Sequence, residues 1–168
     1  MFGQPCRFAV EVGDIDREFS PAEPYLAFRF WLGGVPLGDW EDRISLKASI
    51  AWARLFVSHS SERETSRFPE MSAYDMYLHV YRRFFDSDYA TEPQTPPNLR
   101  DLCHLDSIGM GAIEDKVGVI AVATKDNMER VIAVDLRSDH VLSDVRLPLG
   151  ECDVVLRSYI KWGDALLA

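Results

Sequence analysis

The residues able to do acid-base or metal chemistry in this chain are few and loosely grouped. Its four histidines, His59, His79, His104 and His140, are scattered. His104, Asp106 and Ser107 supply a base, an orienter and a nucleophile by type, but residues so close in sequence rarely reach the geometry of a triad. They read more simply as a polar loop whose side chains cap local backbone groups. Cys103, His104, His140 and Cys152 suggest a zinc set, yet zinc ligands arrive as closely spaced pairs, and adjacent Cys-His suits one ion poorly. Buried structural cysteines fit better. Glu114-Asp115 is a carboxylate pair of the kind acid-base catalysis uses, and equally one that a turn leaves solvated. No phosphate loop, dinucleotide fingerprint, HExxH, GxSxG or calcium-loop pattern occurs. The sequence therefore names no catalytic residue, no metal ligand and no cofactor, and it predicts no enzyme.

Two other groupings are acidic and aromatic. Asp39, Trp40, Glu41 and Asp42 form one, and Asp86, Asp88, Tyr89 and Glu92 form the other. An aromatic anchor ringed by carboxylates suits recognition of a cationic partner, so these are the candidate partner-binding residues. A solvated loop with one tucked ring accounts for the same composition.

The elements that must position them are legible from periodicity. Arg7 to Val12 alternates as an early strand, followed by an acidic loop over Gly13 to Pro24. Tyr25 to Leu32 puts Leu26, Phe28, Phe30 and Leu32 on one face and Tyr25, Ala27, Arg29 and Trp31 on the other. Gly33-Gly34 then supplies the positive φ angles of a two-residue hairpin, with Val35-Pro36-Leu37 returning as a short edge. Ile44, Leu46 and Ala48 fit either a strand or a helix. Ile50, Trp52, Ala53, Phe56 and Val57 fit a short helix that ends in the polar stretch Ser58 to Ser66. Ser72-x-x-Asp75 resembles a capping box. Behind it Tyr74, Tyr77, Leu78, Tyr81, Phe84 and Phe85 form an apolar stripe, with Asp75, His79, Arg82, Arg83 and Asp86 outside. Asp86 to Pro97 is an acidic, proline-rich loop, and Asn98 to Glu114 is irregular, with Leu99, Leu102, Leu105 and Ile108 turned to the core.

From Val117 to Leu147, three β-branched runs separated by polar turns predict an antiparallel meander. The first run is apolar on both faces and is expected to lie centrally. The third is expected to hold Val141, Val145 and Leu147 on one face. Cys152 to Ala168 closes the chain as a helix. The whole predicts a single α+β domain over residues 1–168. Its antiparallel sheet combines the N-terminal hairpin and the three-stranded meander, with helices packed mainly on one face.

Bulk properties exclude several classes. With 18 basic and 27 acidic residues the net charge is −9, and no basic stripe is visible. Such a field repels phosphate backbones and anionic membranes. No apolar run approaches the ~20 residues needed to span a bilayer. The N-terminus carries no secretory pattern, and three cysteines without a CxxC pair suit a reducing compartment. A cytoplasmic protein is expected.

Several segments taken in order resemble the immunity proteins of bacterial polymorphic-toxin and contact-dependent-inhibition systems, and immunity protein 42 in particular. They are "FGQPCRFAVEV", "YLAFRFWLGGVPLGD", "VIAVATKDNMERVIAV" and "LPLGECDVVLRSYI". The resemblance implies a non-enzymatic protein that binds a cognate toxin domain and blocks it. It transfers no binding residue, because toxin contacts differ with the toxin. Many such toxins are nucleases with basic grooves, which an acidic inhibitor covers as a phosphate mimic. The alternative is a non-catalytic interaction module or subunit of another pathway. A small hydrolase assembled from distant residues has no positive feature behind it. The oligomeric state stays open between a monomer and a homodimer, for which Trp31 or Trp40 offers a contact.

Overall fold

The alternation of Tyr25–Leu32 (β3) decides the first layer. Leu26, Phe28, Phe30 and Leu32 are fully buried on one face, each contributing about 1.5–3 kcal/mol by leaving water. In this computed structural model, which describes residues 1–17, 23–65, 67–85, 103–106 and 116–168, β3 is the centre of a five-stranded antiparallel sheet. Phe8–Asp16 (β2) pairs along one side and carries Phe2–Gly3 (β1) beyond it. Val35–Leu37 (β4) and Arg43–Ser45 (β5) share the other side. Gly33 and Gly34 turn the β3–β4 hairpin at φ 59° and 86°, as its sequence predicts. β2 runs past the expected strand end at Val12 because a register shift between Val12 and Ile15 lets pairing resume.

Ser45 ends β5 and caps the helix Leu46–Ser58 (α1), accepting from the Ala48 N–H at 3.2 Å. This settles the strand-or-helix ambiguity at Ile44 to Ala48. The polar stretch that follows holds a short helix, Ser60–Thr65 (α2). Ala73–Phe85 (α3) starts at Ser72, whose hydroxyl accepts from the Asp75 N–H at 3.1 Å and donates to Asp75 Oδ2 at 2.6 Å. The inward stripe of α3 centres on Met76, Tyr77 and Val80, so Met76 and Val80 join the expected residues. His79, expected outside, lies edge-on to Phe68 at 5.8 Å.

Val117–Ala123 (β6), Met128–Asp135 (β7) and His140–Pro148 (β8) form the predicted meander as a separate sheet. Its order places β7 in the middle and β6 at an edge. β6 is apolar on both faces because both are covered. Val119 and Ala121, with Val131 and Ala133, enter the core of the first sheet, while Ile120, Val122, Ile132 and Val134 pack against α3. Isolated bridges from Phe68 and His104 touch its outer edge. In β8 the pairing steps from Val134↔Val141 to Ala133↔Ser143, and this bulge turns Val141 to the α3 side, away from Val145 and Leu147.

Glu151–Leu167 (α4) lies beside α1, and both cover the first sheet through Ile50, Phe56, Leu156 and Tyr159. Ser49 donates to the Leu46 carbonyl, leaving its oxygen to accept from Tyr159 Oη at 2.6 Å. Gly163 permits the helices' close approach, since a Cβ there would stand 2.4 Å from Ile50 Cδ1. Arg130 makes a bidentate pair with Asp144 at 2.7 Å and donates to the Met71 carbonyl at 2.6 Å, fastening the start of α3 to the meander.

Candidate functional site

Gly38–Asp42 is a tight turn between β4 and β5. The Asp42 N–H donates to the Asp39 carbonyl at 3.2 Å, and Asp39 Oδ1 accepts from the Glu41 N–H at 3.0 Å. Aspartate at the head of a turn favours this arrangement, and it fixes the acidic group on its own backbone. Trp40 folds back across the outer face of the first sheet, retaining 37% exposure. The Arg29 guanidinium lies 4.5 Å from its ring centroid and 4.9 Å from that of Trp31. Gly13, at the irregularity in β2, leaves room for the ring, since a Cβ there would come within 2.8 Å of Trp40 Cζ2. The ring is seated, as the tucked-ring reading expects, and the residue as a whole keeps part of its surface exposed.

Glu11 locks the arrangement from below. Arg29 Nε and Trp31 Nε1 each donate to Glu11 Oε2 at 2.6 Å. Burial pushes Glu11 up, but the bonds from Trp31 and Arg29 outweigh it and hold the carboxyl below its ordinary range. Arg29 is thereby paired with Glu11, and Lys116 Nζ stands 3.9 Å from Asp39 Oδ2. The supporting residues Glu11, Gly13 and Arg29 carry one sequence signal: Arg29 and Trp31 alternate onto the polar face of β3. Asp86, Asp88, Tyr89 and Glu92 lie outside the described residues, as do Ser107, Glu114 and Asp115.

His104 and Asp106 do pair, with Nδ1 and Oδ1 2.8 Å apart, and both are buried. Asp106 Oδ2 also accepts from the Val119 N–H at 3.2 Å, and the Leu105 N–H donates to the Val119 carbonyl at 2.8 Å. Asp106 thus caps a backbone N–H on β6, thirteen positions away, and not one of its own loop as the sequence reading expects. His104 Nε2 has no hydrogen-bond partner among the described residues. Cys103 sits in the α3 core and Cys152 in the core of the first sheet, whereas His140 is exposed at the β7–β8 turn. The imagined zinc set is therefore not brought together. Burial pushes Cys103 up to about 12 and Cys152 well above its ordinary value, so both thiols stay protonated.

Sequence reasoning missed a buried ionic cluster behind α2. Arg63 Nη2 donates to Asp153 Oδ1 at 2.5 Å, its Nη1 donates to the Phe56 carbonyl, and its Cζ lies 3.8 Å from the Phe56 ring centroid. Glu129, on the inward face of β7 with Val131 and Ala133, completes the group. Its position in that alternation is the one signal available. The cavity beside these residues is about 10 Å³, room for no more than a water, so the cluster is architectural.

Among the described residues no helix is long and apolar enough to cross a membrane. A search of curated proteins finds no match. Among solved structures the chain resembles CdiI from Burkholderia dolosa, with a TM-score of 0.68 at 19% identity, covering 96% of this chain and 98% of that one. At that identity the likeness establishes the fold. The family model for immunity protein 42 matches residues 1–162, a span that contains all four sequence motifs. The chain belongs to the immunity protein 42 family.

Proposed function

We propose that this protein binds the toxin domain encoded beside it and neutralises that domain by covering its active or substrate-binding surface, in the cytoplasm and without catalysis. The observation that carries this reading is the family match over residues 1–162. The fold shared with CdiI from Burkholderia dolosa supports it. Asp39, Trp40, Glu41 and Asp42 are the proposed contact, and Asp86, Asp88, Tyr89 and Glu92 are a second proposed contact read from sequence alone. A ring held by Arg29 and acids held by their own turn lose little freedom on binding, which favours slow release. The acidic charge speeds encounter with a basic toxin surface.

The deciding experiment is co-expression of this chain with the C-terminal domain of the neighbouring secreted protein. Restored growth together with a stable purified complex is the expected result. Continued killing with no complex would overturn the proposal.

A further inference from the structure

An open groove of about 540 Å³ lies between α1 and α4. Its charge runs against that of the chain. Arg54, Arg157 and Lys161 line it with a single acid, Asp164, on a molecule whose net charge is −9. Asp164 is already engaged by Arg54. Arg157 and Lys161, one turn apart on the exposed side of α4, have no salt bridge among the described residues and form a positive ridge, although the Arg157 charge also acts on the buried Asp153. The floor is apolar, formed by Val57 and Ile160.

We infer that this groove docks a carboxylate-rich, amphipathic segment of the toxin domain, an inference that rests on the proposed function and adds a second contact of opposite sign to the acidic turn. Cations over an apolar floor match such a segment in both charge and surface. A basic substrate-like surface meets the acidic turn, an acidic segment meets the groove, and the opposed fields fix one orientation of the partner. The sequence conceals this because Arg54 is separated from Arg157 and Lys161 by about a hundred positions, and only the packing of α1 on α4 unites them.

The test uses the full chain and the neighbouring toxin domain. Arg157→Glu combined with Lys161→Glu is expected to weaken binding by about tenfold or more at low salt, with the difference shrinking as salt screens it. Both side chains are exposed, so the fold is expected to survive, with a modest fall in Tm because the Arg157 charge acts on the buried Asp153. Carbodiimide treatment of the wild-type complex is expected to join the Lys161 amine to a toxin carboxylate, and Lys161→Arg to abolish that link while preserving affinity. A toxin domain that binds both proteins equally, with no Lys161 cross-link, would overturn the groove and leave the proposed function standing. A wild-type chain that fails to bind the toxin domain would overturn both. If the double variant unfolds, the cross-link on the wild type decides.

Discussion

Glu129 Oε1 on β7 accepts a hydrogen bond from the backbone N–H of Cys152 at 2.6 Å. The helix it reaches, α4, begins at Gly150, which has φ 86° and no side chain with which to cap. A buried carboxylate from the second sheet thus does the work of a missing local cap, and it does so at the positive end of the helix dipole. Glu129→Ala removes the acceptor and strands a buried donor. A loss of about 1–3 kcal/mol is expected in urea unfolding, and an unchanged midpoint would show that the bond contributes nothing.

The same carboxyl gives stability a pH dependence. Burial is the largest influence on Glu129 and Asp153, and both are raised despite the Cys152 N–H at the first and the Arg63 charge at the second. A carboxyl held above its unfolded value makes the folded chain bind more protons. Stability is then fullest below the ordinary values of 4.5 and 3.8 and is lost as pH rises through the folded ones. Glu129→Gln keeps an acceptor and removes one titration. Its Tm is expected to decline less than that of the wild type as pH climbs toward neutrality, and superimposable Tm–pH profiles would count against this account.

Arg63 is the counterweight to these acids. Its side chain is 6% exposed and that of Asp153 9%. Arg63→Ala leaves two carboxyls inside without a cation and is expected to cost about 3–5 kcal/mol. Arg63→Met with Asp153→Leu removes both charges and is expected to recover much of that loss. Chemical denaturation of the wild type, Arg63→Met, Asp153→Leu and their combination reads the cycle.

Helix packing offers a steric test. Glycine inside a helix is ordinarily replaced by alanine with a gain, but a Cβ at Gly163 would stand 2.4 Å from Ile50 Cδ1 and 2.7 Å from Cγ1. Gly163→Ala is therefore expected to destabilise by about 1–3 kcal/mol. Ile50→Val in the same chain is expected to relieve part of it. A stabilised single variant would mean that α1 and α4 tolerate a wider spacing.

Thiol chemistry separates the three cysteines. Cys6 is exposed, while Cys103 and Cys152 are buried and their thiols are raised by that burial. A colorimetric disulfide reagent is expected to titrate one thiol per folded chain and all three after unfolding.

Local patterns in the sequence carried the local structure. The strict alternation of Tyr25–Leu32, the Gly33-Gly34 turn and the Ser72–Asp75 cap all appear where their spacing places them, because each is governed by neighbours a few residues away. The fully apolar β6 misled as to position, since periodicity reports that both faces are covered without saying whether another strand lies beside it. The bulge in β8 reverses Val141 by one residue, and alternation has no means to foresee that. Asp39 to Asp42 was legible as an acidic cluster, but not that Arg29 and Gly13 would seat Trp40. Arg63 and Asp153 are ninety positions apart, and such a pair exists only once α2 and α4 meet.

β6 and β7 stand between two cores, with Val119 and Val131 facing one and Ile120 and Ile132 facing the other. They serve as a party wall shared by two rooms. The smaller room, behind α3, can open to water while the larger stays shut, because the wall's own backbone bonds survive. Amide exchange is thus expected in tiers: Met76 to Val80 first, Phe28 to Leu32 much later, and Val131 to Ala133 only when both rooms have been breached.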